Sequence, residues 1–123
     1  MKNSGKEDSE QSCYIQLKRV RMAGILLILY VSEKFKISHR IFDLAVSSIP
    51  TGIMNMMGNK GAVAMRFNYY NSSICIVNCH LAAGDGNIER RKQDFSEITR
   101  KLQFNLSALN NKEGKRLSIS DHE

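Results

Sequence analysis

No stretch of this chain stays apolar long enough to cross a membrane as a helix. The most hydrophobic run, Met22 to Val31, is ten residues, and a span needs about twenty. The opening residues, "MKNSGKEDSEQS", lack the apolar segment of a signal peptide, so residues 1–13 are expected to form a disordered polar lead-in. Cysteine is sparse: Cys13, Cys75 and Cys79 form an odd set without C-x-x-C spacing. Cys75 and Cys79 lie four apart on an expected strand, too far to bridge when extended residues rise about 3.3 Å each. Cys79 would also point away from His80, with no second His-Cys cluster nearby, which disfavours zinc. Reduced thiols in the cytosol are the default expectation. Tryptophan is absent, and no aromatic stacking platform for a nucleic acid is visible.

What is present is basic. Lys plus Arg number 18 against 12 Asp plus Glu, a net charge of +6, which favours anionic partners such as phosphates, nucleic acid or an acidic membrane surface. The 123 residues suffice for one small core, whereas sandwich and barrel enzymes often need roughly 200–250. The length suits a small domain or a piece of a larger one.

The pattern along the chain predicts alternating elements. Gln16 to Val31 is a continuous apolar run and reads as one central strand buried on both faces. Phe35, His39, Phe42 and Val46 recur at helical spacing, predicting a helix capped by Ser32 and ended at Pro50 and Gly52, with His39 as a packed core histidine. Strands are predicted from Ala62 to Tyr70 and from Ser73 to His80, joined at Asn71-Ser72. On the second, Ile74, Ile76, Asn78 and His80 share one face, and Cys75, Val77, Cys79 and Leu81 the other. Ile88, Phe95, Ile98 and Leu102 predict a further helix capped by Asn87 or Asp85. The tail from Asn105 to Glu123 is polar and reads as a loop.

Three motifs carry chemistry. In "GNKG", two glycines let a ligand approach the backbone closely, Lys60 offers a point charge and Asn59 offers donors, a combination suited to phosphate. It is not a Walker A loop, because Asn59 separates glycine from lysine, Gly61 follows, and the loop runs into a strand. A turn with a surface lysine would fit the same four residues. Asn78 and His80 end a buried strand as N-x-H, and both can donate to a phosphoryl oxygen; a satisfied polar pair at a strand end is the plainer alternative. Ile53, Met54, Met56 and Met57 form an apolar loop, which could plug a core gap or enter a lipid interface beside a basic site. "SDHE", Ser120 to Glu123, reads as a solvated turn.

Taken together, "TGIM…MGNKGAVAMRF", "NSSICIVNCHLAAG" and "ERRKQDF" at these intervals resemble the inositol polyphosphate 5-phosphatases, most closely the type II members. The resemblance runs from about Tyr14 to Asp121 and corresponds to the middle of that family's catalytic domain. It implies an α/β fold, part of a DNase I-like four-layer sandwich, with residues 14–123 as a partial catalytic domain. It further implies that His80 contacts the scissile phosphate with Asn78 beside it, that Asn59 and Lys60 hold another phosphate, and that Ile53, Met54, Met56 and Met57 face the membrane. Pro50 stands where the family commonly has Gly, and Cys79 where it commonly has Ser.

The complete family domain uses Mg2+ to activate water. Its strand-end glutamate, its G-D-x-N-x-R strand and its P-x-W-C-D-R motif have no counterpart here, so this chain is expected to contain no metal ligands and to turn over negligibly. By the same resemblance, Asp121-His122 is not the Asp-His pair found near the end of complete enzymes. The expected partners are phosphoinositide lipids or soluble inositol phosphates at a peripheral membrane surface in the cytoplasm, and no nucleic acid. The alternative is a non-catalytic module binding anionic lipid through Lys60, the Arg90-Arg91-Lys92 run and the methionine loop.

Overall fold

The computed structural model describes residues 13–33, 40–51, 60–106 and 115–122. Among the described residues the elements in chain order are β1 (Tyr14–Met22), β2 (Ile25–Ser32), β3 (Ile41–Pro50), β4 (Gly61–Tyr69), β5 (Ser72–His80), the helix α1 (Ile88–Lys101), then β6 (Gln103–Leu106) and β7 (Lys115–Ser118). Short 3₁₀ turns precede α1 and follow β7.

The organising element is β4. Ala62, Val63, Ala64 and Met65 are fully buried, and Arg66 and Phe67 nearly so. A strand buried on both faces cannot leave its amides and carbonyls unpaired, and β4 pairs antiparallel with β3 on one edge and β5 on the other. Its side chains alternate between two packing layers. Ala62 and Ala64 join Ile98, Leu102 and Phe104 in a core bordered by Ala45, Ile49, Cys75 and Val77. Val63, Met65 and Phe67 turn to the other face, where the β1–β2 pair packs against the sheet. Among the described residues three small sheets result, β1–β2, β3–β4–β5 and β6–β7, with α1 packed beside them, a mixed α/β arrangement as anticipated.

Three sequence expectations need correction. The apolar run from Gln16 to Val31 is not one strand but most of an antiparallel hairpin, with Met22 opposite Ile25. The reversal falls on Ala23, at φ 43°, and Gly24. Neither residue interrupts hydrophobicity, so the pattern conceals the turn. The predicted helix through Phe42 and Val46 is replaced, from Ile41 onward, by β3. This strand contains a bulge, in which Phe42 pairs with Asn68 and Ala45 with Arg66, so that one extra residue lies on β3. Asp43 within it has φ 51°. A bulge breaks the two-residue alternation, and the demand of β4 for a partner outweighs local helical spacing. Finally, the polar tail contains β6, β7 and a 3₁₀ turn. Four-residue strands are too short to announce themselves by period, and Phe104, fully buried, anchors the pair.

Smaller differences follow the same logic. The β4–β5 turn falls on Tyr70 and Asn71, one residue earlier than expected, with Tyr70 at φ 52°. The guanidinium of Arg40 lies 4.8 Å from the Tyr70 ring centroid, a cation–π contact that closes this end of the sheet. The helix predicted near Ile88 is present, but Ile88 and Phe95 are exposed while Asp94 and Ile98 are buried. Its inward stripe therefore passes through a charged residue. Asn87 does occupy the N-cap position, but its side chain bonds no helix amide there and instead donates to Ala83 O at 2.5 Å. His39 and residues 1–12 lie outside the described residues.

Candidate functional site

The β4–β5 register places the two ends of the quoted motifs together. Gly61, the first residue of β4, pairs with His80, the last of β5. Lys60, immediately before Gly61, thereby reaches across, and its Nζ lies 2.9 Å from His80 Nε2. An ammonium has only donors, so in this contact the imidazole Nε2 is the acceptor. His80 is exposed and Lys60 partly so. A cation and an imidazole thus meet at an accessible strand end, where a phosphoryl group would find donors without displacing buried protein.

Two local constraints hold Lys60 there. The Thr51 amide donates to Lys60 O at 3.0 Å, joining the end of β3 to the start of β4. Gly61 has φ 140°, and a Cβ at that position would lie 2.1 Å from Ile49 O and 2.7 Å from Met22 Cε. No side chain fits, so the second glycine of "GNKG" is required by packing as well as by conformation.

Asn78 lies two residues before His80 and so on the same face, as expected from strand period. Its Nδ2 donates to Leu26 O at 3.1 Å, which ties the strand end to the β1–β2 hairpin. The amide therefore has a structural bond of its own. Asn59, Ile53, Met54, Met56 and Met57 lie outside the described residues. Cys79 points to the opposite face, and partial burial pushes its thiol and that of Cys75 up from the ordinary range, with Arg66 opposing this at Cys75. Both are protonated at neutral pH, which argues against a thiolate nucleophile at this site.

The segment after His80 is gripped by the helix. Asp94 Oδ2 accepts the Ala82 amide at 3.0 Å, and Arg91 Nη1 donates to Ala82 O at 3.2 Å and Gly84 O at 2.7 Å. The basic run Arg90-Arg91-Lys92 is accordingly not an open cationic face. Arg90 pairs with Asp94 at 3.4 Å, Arg91 turns to the loop, and Lys92 pairs with Glu89 at 2.7 Å. Periodicity could not reveal this clamp, because charged residues on a helix ordinarily read as solvent-facing.

The C-terminal Asp-His pair is separate from this site. The Asp121 carboxylate accepts both the amide and the hydroxyl of Ser118, each at 2.7 Å, and those bonds hold it below its ordinary value. His122 stacks on Phe104 with centroids 5.7 Å apart. Asp121 serves the turn, as the sequence implied.

A divalent cation does not fit the described side chains at this site. They are an ammonium against an imidazole, plus an amide already bonded to a backbone carbonyl, and among the described residues no three His, Cys, Asp or Glu cluster to hold a metal. Hard cations take oxygen ligands, usually carboxylates.

Comparison with known proteins agrees with this layout. The family described as Endonuclease/Exonuclease/phosphatase family 2 matches residues 2–123. The chain is 46% identical over 91 residues to the type II inositol 1,4,5-trisphosphate 5-phosphatase of Mus musculus, covering 74% of this chain and 9% of that protein. It is 35% identical over 101 residues to human synaptojanin-1, covering 82% of this chain and 6% of that protein. The crystal structure of the inositol polyphosphate 5-phosphatase domain of SPSynaptojanin, in complex with inositol (1,4)-bisphosphate and calcium, superposes with a TM-score of 0.73 at 31% identity. The match covers 93% of this chain and 30% of that one. The chain thus spans under a tenth of the two curated relatives named and under a third of the solved domain.

Proposed function

The chain belongs to the endonuclease/exonuclease/phosphatase family 2, and from that premise we propose that it is the phosphate-recognition part of an inositol polyphosphate 5-phosphatase catalytic domain. The observation that carries this reading is the 2.9 Å contact between Lys60 and His80 at the shared end of β4 and β5. Lys60 supplies fixed positive charge for one phosphate of an inositol head group, with Asn59 next to it in sequence. His80 meets the scissile 5-phosphate, and Asn78 holds the strand end that presents it. These groups orient the phosphate and balance charge on its oxygens. The divalent cation of the complete domain, magnesium by family resemblance, would activate the attacking water. It finds no ligand set among the described residues, and turnover by this chain alone is accordingly expected to be negligible.

We place the site at a peripheral cytoplasmic membrane surface. Supporting this, Ile53, Met54, Met56 and Met57 fall in sequence between Thr51 and Lys60, which are bonded to each other through their backbones, and Lys60 contacts His80. The net charge of +6 favours anionic lipid, and the cysteines Cys13, Cys75 and Cys79 are all free. The deciding experiment titrates the isotope-labelled chain with inositol 1,4-bisphosphate and follows the His80 ring. Displacement of the His80 and Gly61 resonances, abolished by Lys60→Ala, is the expected result. A chain that keeps its β4 amide dispersion yet shows no response at His80 would overturn the proposal.

A further inference from the structure

We infer that Asp94, with Arg91, is the positioning residue that sets the orientation of His80. The inference deepens the phosphate-site reading and rests on it for its functional meaning. Asp94 is only 2% exposed, and a carboxylate so deeply buried must be fully engaged or it destabilises the fold. One of its oxygens takes the Ala82 amide at 3.0 Å, and the other pairs with Arg90 Nε at 3.4 Å. Arg91, one turn earlier on the same face, takes the Ala82 carbonyl at 3.2 Å. Both backbone polar groups of Ala82, two residues after His80, are therefore held by side chains of α1.

Strand pairing alone does not set this direction. His80 is the terminal residue of β5, with β4 on one side, and beyond it the chain leaves the sheet. Leu81 packs on the core shared with Ile98, so the segment passes directly from His80 to an anchored apolar residue and then to the clamp. Without the clamp, the backbone at residues 81–84 would choose its own path. The imidazole would then no longer be held with Nε2 toward Lys60.

The test reads His80 directly by its ring nitrogen resonances in the full chain, with no added ligand. In the unsubstituted protein Nε2 should carry the signature of an acceptor. Asp94→Ala should move it toward the tautomer-averaged position and remove its sensitivity to Lys60→Met, whereas Asp94→Asn, which keeps an acceptor for the Ala82 amide, should retain most of the original signal. Ile98→Ala, a cavity in the same helix that leaves both Asp94 and Arg91 in place, serves as the control for general loosening. If Asp94→Ala leaves β4 folded and His80 unchanged, or if Ile98→Ala shifts His80 equally, the positioning role is wrong. Should Asp94→Ala fail to fold, Arg91→Gln removes the carbonyl half of the clamp from a less buried position, and an unmoved His80 there overturns the inference equally. Absence of any response to inositol 1,4-bisphosphate would count against the phosphate reading alone, since none of these resonance comparisons uses that ligand.

Discussion

Strand β4 carries a cationic side chain toward one end and another just beyond the other, and the two are treated in opposite ways. Arg66 is 2% exposed and its guanidinium is distributed over neutral acceptors: Asp43 O at 2.8 Å, Asn68 Oδ1 at 2.6 Å and Ser73 Oγ at 2.8 Å. Asn68 in turn donates to Asp43 Oδ2 at 3.0 Å. Lys60 lies at an accessible end against a single imidazole. A buried cation whose Nη1 and Nη2 are both engaged, although its Nε finds no partner, pins the bulge of β3 to β4 and β5 and is closed to a ligand from solvent. An accessible ammonium that retains donor capacity contributes little to the fold and is suited to bind. Burial, rather than charge, separates scaffold from site.

Substitutions at the two ends should separate these roles. The largest effect is expected at the boundary between them: Gly61→Ala forces a Cβ into Ile49 O at φ 140° and should cost about 4 kcal/mol, combining backbone strain with overpacking. Chemical denaturation would measure it, and a loss under about 1 kcal/mol would show that the strand end relaxes easily. Arg66→Ala strands the Asp43 carbonyl, Asn68 and Ser73, and should destabilise by about 3 kcal/mol without altering the response of His80 to inositol 1,4-bisphosphate in whatever fraction remains folded. Conversely, Lys60→Ala or His80→Ala should change stability by no more than about 0.5 kcal/mol while abolishing that response. If Lys60→Ala proves as destabilising as Arg66→Ala, the contrast drawn between the two ends collapses.

The smallest effect concerns acid. Bonds from Ser118 lower the Asp121 carboxyl, so the stabilisation of the β7 turn is complete above the ordinary carboxylate range and disappears as pH falls through the depressed value. The Ser118 amide resonance should hold its position down through that range and move only below it. Movement at the ordinary carboxylate value would mean the capping bonds do not persist in solution.

Much of the site was legible before the structure. The β4–β5 hairpin announced itself by two β-rich runs around a polar turn, and once those strands pair antiparallel, Lys60 and His80 must meet. The 3.6-residue period near Ile88 correctly located α1. What escaped was of two kinds. Ala23-Gly24 and the Asp43 bulge are reversals or irregularities made without polar punctuation, so periodicity ran straight through them. Arg66 and Asp94 are charges facing inward, and a linear pattern assigns charges outward unless their partners are known; besides nearby Asn68 and Arg90, those partners include Ser73, Asp43 and Ala82, seven or more residues away.

The sequence by itself determined which residues are candidates for phosphate recognition and that β4 and β5 would pair as a hairpin, because side-chain alternation and hairpin register are short-range consequences of the backbone. Only the tertiary structure decided that residues 41–50 extend rather than coil, and that the helix turns a carboxylate inward to hold the segment after His80. Both outcomes follow from one physical requirement: a strand and loop packed into an apolar interior must have their amides and carbonyls bonded, and the partners that satisfy them are chosen by proximity in space.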